Sequence, residues 1–183
     1  MAFVVLLDAN VLYPNALRDL LIRIAQSGLV QAKWTDEILD EVFRNLKENR
    51  PDLDPGKLDR TRELMNRSVR DCLVTGYEPL VPALALPDPD DRHVLAAAIK
   101  ARAQVIVTEN LRDFPDHALR RWDIEAQGSD DFVLDRIALN RRLVVEAVLR
   151  IADSRRSPPT SFAEILDALE RAGLKKSVAE LRS

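Results

Sequence analysis

The chain has 183 residues, with 30 acids against 27 bases for a net charge of −3, and 46% of its residues are hydrophobic. That length suits one domain with an appendage and enough chain to bury a core. The acidic balance argues against a DNA-coating protein, and no stretch is apolar for long enough to cross a bilayer, so no membrane partner is expected. The first apolar run meets Asp8 after a few residues and lacks a basic lead-in, which does not fit a secretory signal. A single cysteine, Cys72, precludes an internal disulfide and fits a reducing, cytoplasmic setting.

Val4-Val5-Leu6-Leu7 reads as a buried strand of a parallel sheet, ending abruptly in Asp8 and Asn10. Pro14-Asn15 opens a helix with apolar positions Leu17, Leu20, Leu21 and Ile24, stopped by Gly28. Leu29 to Trp34 is a short strand, after which Thr35 caps a helix buried through Ile38, Leu39, Val42, Phe43 and Leu46. A polar break with two prolines leads to a third helix, from about Lys57 to about Cys72, and then to the extended stretch Leu73 to Tyr77. Four prolines make Pro79 to Pro89 a loop of fixed shape. A helix from about Asp90 to Arg102, the strand Gln104 to Val107 and the turn Thr108 to Pro115 follow. Strands alternating with helices predict a parallel sheet covered on both faces. From about Ser129 the chain reads helical, and after Arg155-Arg156-Ser157-Pro158-Pro159 a helical hairpin is expected, with Ser161 and Glu164 at its start and Gly173 as a stop.

The acids carry the chemistry. Asp8 stands where a buried strand leaves the sheet, the edge at which open α/β folds collect ligands, and a carboxylate so close to the sheet is costly without a partner. In Asp88-Pro89-Asp90-Asp91, helical periodicity puts Asp91 on the centre line of the stripe Val94, Leu95, Ala98 and Ile99, while Asp90 falls off it and reads as the N-cap. Asp40 and Glu41 flank the stripe of their helix on opposite sides, so periodicity does not choose between them. Asp113 shares a sheet edge with Asp8 if their strands run parallel. Each of these acids also has a plain structural reading, as a turn residue, a dipole partner or part of a solvated face. There is no phosphate-binding glycine loop, zinc-type cysteine spacing or serine nucleophile elbow. His93 lies opposite its buried stripe and reads, like His117, as a surface residue, and Cys72 reads as packing.

Four motifs in order, Leu7-Asp8-Ala9-Asn10-Val11-Leu12, Glu37-Ile38-Leu39-Asp40-Glu41-Val42, Asp88 through Ala98, and Val107 through Phe114, resemble the PIN-domain family, and within it the bacterial VapC-type toxins. The resemblance implies an α/β/α sandwich with a central parallel sheet over 1–128, followed by a C-terminal helical extension over 129–183. It implies Asp8, Glu41, Asp91 and Asp113 as the metal-binding catalytic acids, Asp113 standing in because many relatives carry an acid where this chain has Asn110. Asn10, Thr108 and Asn110 would support the site. The implied activity is hydrolysis of RNA by an endoribonuclease using Mg²⁺ or Mn²⁺, hard cations suited to carboxylate ligands. Arg18, Arg44, Lys47, Arg92 and Arg112 are the candidate phosphate contacts, chosen by their nearness to the motifs. A cognate antitoxin protein and a homodimer are the implied partners. The alternatives weighed are a PIN-like protein-binding module with weak or no nuclease activity, kept open by Asn110, and a haloacid-dehalogenase-type phosphohydrolase, disfavoured because Asn10 replaces its second acid. The apolar stripe of the tail, Phe162, Ile165, Leu166 and Leu169, is expected to pack on its own chain rather than on a partner.

Overall fold

A computed structural model describes residues 3–183. Its four strands, β1 (Val4–Leu7), β2 (Gln31–Lys33), β3 (Val105–Val107) and β4 (Glu125–Gln127), form one parallel sheet in the order β2-β1-β3-β4. Val5, Leu6 and Leu7 of β1 and Ile106 and Val107 of β3 are at most 1% exposed, so both faces of the central strands are covered. This is the parallel sheet covered on both faces that the alternation predicts, and the α/β/α sandwich that the resemblance implies.

From β1 the chain passes through α1 (Ala9–Leu12) and α2 (Asn15–Gln26) to β2 on one side. It then runs through α3 (Asp36–Asn49), α4 (Pro55–Ser68) and α5 (Arg92–Ala101) to β3 on the other side of β1. Connections therefore leave in opposite directions at β1 and β3, and the crevice between their carboxyl ends is the switch point where such sheets bind ligands. Gly28, with φ +88°, ends α2 as expected, and Thr35 caps α3 by accepting the Ile38 N–H.

Three local readings need correction. The third helix stops at Ser68 rather than near Cys72, because the Trp34 N–H donates to the Cys72 carbonyl (2.8 Å) and the Val74 N–H donates to the Trp34 carbonyl (2.9 Å). These two bonds extend the line of β2 by one bridge, Trp34 to Leu73, and draw the chain out of the helix. The proline-rich segment is partly a 3₁₀ helix, Glu78–Ala83. Strand β4 was not anticipated: its three residues are exposed or half-buried at a sheet edge and show no apolar run.

After α6 (Asp116–Leu119) and β4, the tail is built of α7 (Ser129–Ser154), α8 (Phe162–Arg171) and α9 (Lys175–Arg182). Asn140 has non-helical backbone angles, so α7 is two helices end to end, and the Asn140 side chain accepts the Leu143 N–H to start the second. The tail packs on its own chain: α7 and α8 contact α2, and Ile165, Leu166 and Leu169 are no more than 3% exposed. Asp130 fixes α9 by accepting the backbone N–H groups of Lys176 and Ser177, both at 2.9 Å. No helix among the described residues is long and apolar enough to cross a membrane.

Because Leu169 is fully buried, Leu169→Ala is expected to destabilise the whole chain by about 2–4 kcal/mol in urea unfolding, as a single transition. A separate early transition for the tail would contradict the continuous core.

Candidate active site

Asp8 follows the last residue of β1 and is only 5% exposed. Its burial raises the carboxyl above its ordinary range, and three donors oppose that rise. Oδ1 accepts the Ala9 N–H at 2.8 Å, and Oδ2 accepts the Thr108 hydroxyl at 2.8 Å and Asn10 Nδ2 at 3.2 Å. Thr108 leaves β3 beside Asp8 because the two strands are paired neighbours. Its hydroxyl, having donated to Asp8, accepts from Asn10 Nδ2 (3.1 Å) and from the Asn110 N–H (3.1 Å), which uses its full bonding capacity. Asn10 Oδ1 accepts the Glu109 N–H (2.9 Å), and Glu109 Oε1 accepts the Ser129 N–H at the start of α7 (2.8 Å).

A cleft of about 430 Å³ opens over this network, lined by Asp8, Asn10, Glu41, Asp91, Asn110 and Asp113. Asp88 and Asp90 line it too. The structure thus brings together acids from β1, α3, the start of α5 and the turn after β3. Glu41, not Asp40, faces the cleft: Asp40 is held by Arg62 at 2.7 Å, together with Asp36. Asp90 is not the N-cap expected of it: it lies in a short 3₁₀ turn, Pro89–Asp91, which Asp88 caps by accepting the Asp90 N–H on Oδ1 at 2.9 Å. Asp91 then occupies the N-cap position of α5 without making a side-chain cap bond, so its carboxylate is left to the cleft.

These acids repel one another. Asp91 is pushed up to about 7, first by desolvation and then by Asp8, Asp88, Asp113 and Glu41. Glu41 is also raised, by loss of water in the cleft and by the Asp8 charge. No ion pair among the described residues reaches any of the six acids.

A PIN-domain family model matches residues 4–112. The chain belongs to the PIN-domain family. A second family model, the VapC50 C-terminal domain, matches residues 129–183. A protein from Mycobacterium tuberculosis (strain ATCC 25618 / H37Rv) named "Putative ribonuclease VapC50" is 44% identical over 94 residues, 51% of this chain and 55% of the relative. The chain thus spans about half the length of the curated relative it matches. No solved structure matches.

For a PIN-domain chain the donor set is decisive. Asp8 keeps about one lone-pair direction free after its three bonds, and the other carboxylates have no basic partner, so the cleft offers oxygen ligands only, the preference of hard divalent ions. The acids surround the space without closing on it: among the described residues no three His, Cys, Asp or Glu side chains are gathered tightly enough to hold an ion as they stand. Like charge disfavours a closer approach of these groups, and a bound cation would offset it.

Among the basic candidates Arg18 must be reassigned. It is 5% exposed, and its guanidinium donates to the Leu12 and Tyr13 carbonyls (2.9 and 3.1 Å) and to Asn15 Oδ1 (2.9 Å), bracing the turn between α1 and α2. Lys47 is paired with Asp59 at 2.8 Å, and Arg92 Nε donates to the Pro89 carbonyl at 3.0 Å. Arg44 and Arg112 are exposed and form no ion pair among the described residues. The surface reading of His93 is also corrected. Its side chain is 17% exposed, and its buried Nδ1 lies 3.8 Å from Glu37 Oε2 without a hydrogen-bond partner. Glu37 Oε1 in turn accepts the Tyr77 hydroxyl at 2.8 Å. Periodicity within α5 could not foresee an acid arriving from the first turn of α3.

The raised acids set the pH dependence of the metal-free protein. Asp91 binds its proton up to about pH 7 when folded but only to about 3.8 in its ordinary state. The folded state therefore holds more protons across that window, and stability falls as pH rises through it. In the presence of a chelator, melting temperature is expected to drop between pH 5 and pH 8, and Asp91→Asn to flatten the drop. Equal slopes in the two proteins would contradict the crowding.

Proposed function

We propose that this chain is an endoribonuclease dependent on Mg²⁺ or Mn²⁺ that hydrolyses RNA phosphodiester bonds. On this reading it is the toxin of a cytoplasmic type II toxin-antitoxin pair, restrained by a cognate antitoxin protein and able to form a homodimer. The observation that carries the reading is the cleft at the β1–β3 switch point lined by acids from four separate segments, none of them ion-paired among the described residues. Family membership and the relative named as a ribonuclease support it. Residues 1–128 would form the nuclease unit and 129–183 an extension to it.

In this reading Asp8, Glu41, Asp91 and Asp113 hold the divalent ion. When bound, that ion supplies Lewis acidity, making water more acidic and offsetting charge that builds on the phosphodiester. The rest falls to the chain. Thr108, Asn10 and the Ala9 N–H hold the Asp8 carboxylate in one orientation, which leaves about one lone-pair direction for a ligand in the cleft that Asp8 lines. Asn110 stays beside it through its own N–H bond to Thr108. Arg44 and Arg112, exposed and without an ion pair among the described residues, would be the first candidates to meet phosphates, and Lys47 and Arg92 could do so only by giving up present bonds.

Cleavage of a mixed RNA pool by wild type, Asp8→Asn and Asp91→Asn, with and without Mn²⁺, tests the proposal. Wild type should cut only with the ion, and each variant should lose at least about 100-fold. Cutting without metal, or full activity in both variants, would remove this mechanism. Inactivity of all three would favour the protein-binding module that Asn110 keeps in view. Independently of activity, millimolar Mn²⁺ should raise the wild-type melting temperature, and more at pH 8 than at pH 6, where protons compete for the acids.

A further inference from the structure

A second depression, of about 600 Å³, adjoins the acidic cleft. Its lining includes Tyr13, Leu46, Leu53, Lys57 and Leu58, and Tyr13 belongs to both. Helix α3 is also shared: Glu41, Val42 and Asn45 line the cleft, while Leu46 and Arg50, the residue that follows the helix, line the groove. One turn of helix, about 5 Å, therefore separates the two along a continuous wall, roughly the span of one nucleotide. The volume is that of an ordinary ligand pocket.

The chemistry changes sign across Tyr13. On one side stand six carboxylates. On the other, Lys57 is exposed and forms no ion pair among the described residues, whereas Arg50 is matched by Asp52 at 2.8 Å. Asp54, the acid lining the groove, is occupied in capping α4 through the Gly56 N–H (3.2 Å). Leu46 and Leu58, each 7% exposed, form an apolar floor. The Tyr13 ring packs partly on the core, which sets it at the boundary, and its hydroxyl accepts only a long bond from Asn49 Nδ2 at 3.3 Å. An apolar floor, a fixed aromatic ring and one free cation, next to a site for a backbone phosphate, are what an unpaired nucleobase and its neighbouring phosphate require.

We propose that this groove is a nucleotide subsite: it takes the base next to the phosphate held in the acidic cleft, stacked on Tyr13, with Lys57 meeting the following phosphate. The inference rests on the nuclease reading for the identity of its ligand, and it makes single-stranded RNA the substrate class, since a paired base cannot turn into the groove. Such stacking tolerates any base.

The test uses the full chain and a fluorescein-labelled eight-nucleotide single-stranded RNA, with binding read by anisotropy in a chelator, where no divalent ion supports cleavage. Tyr13→Phe should bind as wild type, because the ring is kept, and Tyr13→Ser should bind about tenfold more weakly. Lys57→Gln should weaken binding and reduce the slope of log K against log salt by about 0.7. Circular dichroism and melting temperature show whether each variant is folded. With Mn²⁺ present, Tyr13→Ser should raise KM while leaving kcat nearly unchanged, the mark of uniform binding. Folded Tyr13→Ser and Lys57→Gln proteins that bind RNA as wild type does would overturn the subsite. The same unchanged binding combined with weaker association with a co-expressed small partner protein would assign the groove to a protein ligand, and the proposal would equally fall. Cleavage with unchanged binding would leave the nuclease reading standing alone, whereas the predicted binding losses without any cleavage by wild type would keep the subsite and remove the nuclease.

Discussion

The burial of one carboxylate constrains most of this structure. Asp8 stands at the end of a four-residue apolar strand, where an unpartnered charge would be costly. It is tolerable because Ala9, Asn10 and Thr108 each donate to it. Two of those donors come from the turn that follows β1, but the third is a hundred residues away and reaches Asp8 only because β3 pairs beside β1 in parallel. Strand order and site geometry are thus one requirement. The network reaches further: Asn10 accepts from Glu109, and Glu109 caps α7, whose own N-cap, Gly128, has no side chain to do so. The first helix of the tail is therefore fastened to the same turn that carries Asn110 and Asp113.

The second constraint is like charge. Six carboxylates share a cleft of about 430 Å³ with no base in its described lining, and Asp91, the carboxyl pushed up to about 7, stands at the N-cap of α5 without making a cap bond. A fold seeking only stability would have placed a lysine or arginine here, as it did for Asp40 with Arg62 and for Asp19 with Arg155 at 2.9 Å. Local strain of this kind, kept where a neutralising substitution would be easy, is the usual mark of a site that serves a ligand.

What the sequence made legible followed from local periodicity. The strand run before Asp8, the stripe that turned Asp91 inward and the caps at Thr35 and Ser161 are all features of one element at a time. What was hidden depends on two elements meeting. Arg18 looked like a surface cation near a motif, yet the turn before it folds back and consumes its donors. His93 faced away from its own helix's core but towards Glu37 of another helix. Periodicity alone could not separate Asp40 from Glu41, and the resemblance chose Glu41; the physical reason lies in α4, which supplies Arg62 to Asp40. Strand β4 escaped because a short polar edge strand gains its hydrogen bonds from β3 and needs no apolar pattern of its own.

An acidic chain that handles a polyanion needs its repulsion confined. At physiological salt a surface charge is felt over about 8 Å, so carboxylates gathered in a cleft repel a phosphate within it most strongly and one further along the wall progressively less. The groove beyond Tyr13 begins about one helical turn, roughly 5 Å, from the cleft, so screening there is only partial, and the cation without an ion pair among its described lining residues is Lys57. On the function proposed above, RNA would first be held by its base and the phosphate beyond, and the phosphate facing the acids could settle only once a cation had cancelled them. Net charge then reveals little about the substrate, because −3 is the sum over a surface whose signs are segregated. An order of binding in which the cation admits the phosphate would also protect the chain: without the ion, the acids that would hold it keep the backbone of any bound strand at a distance.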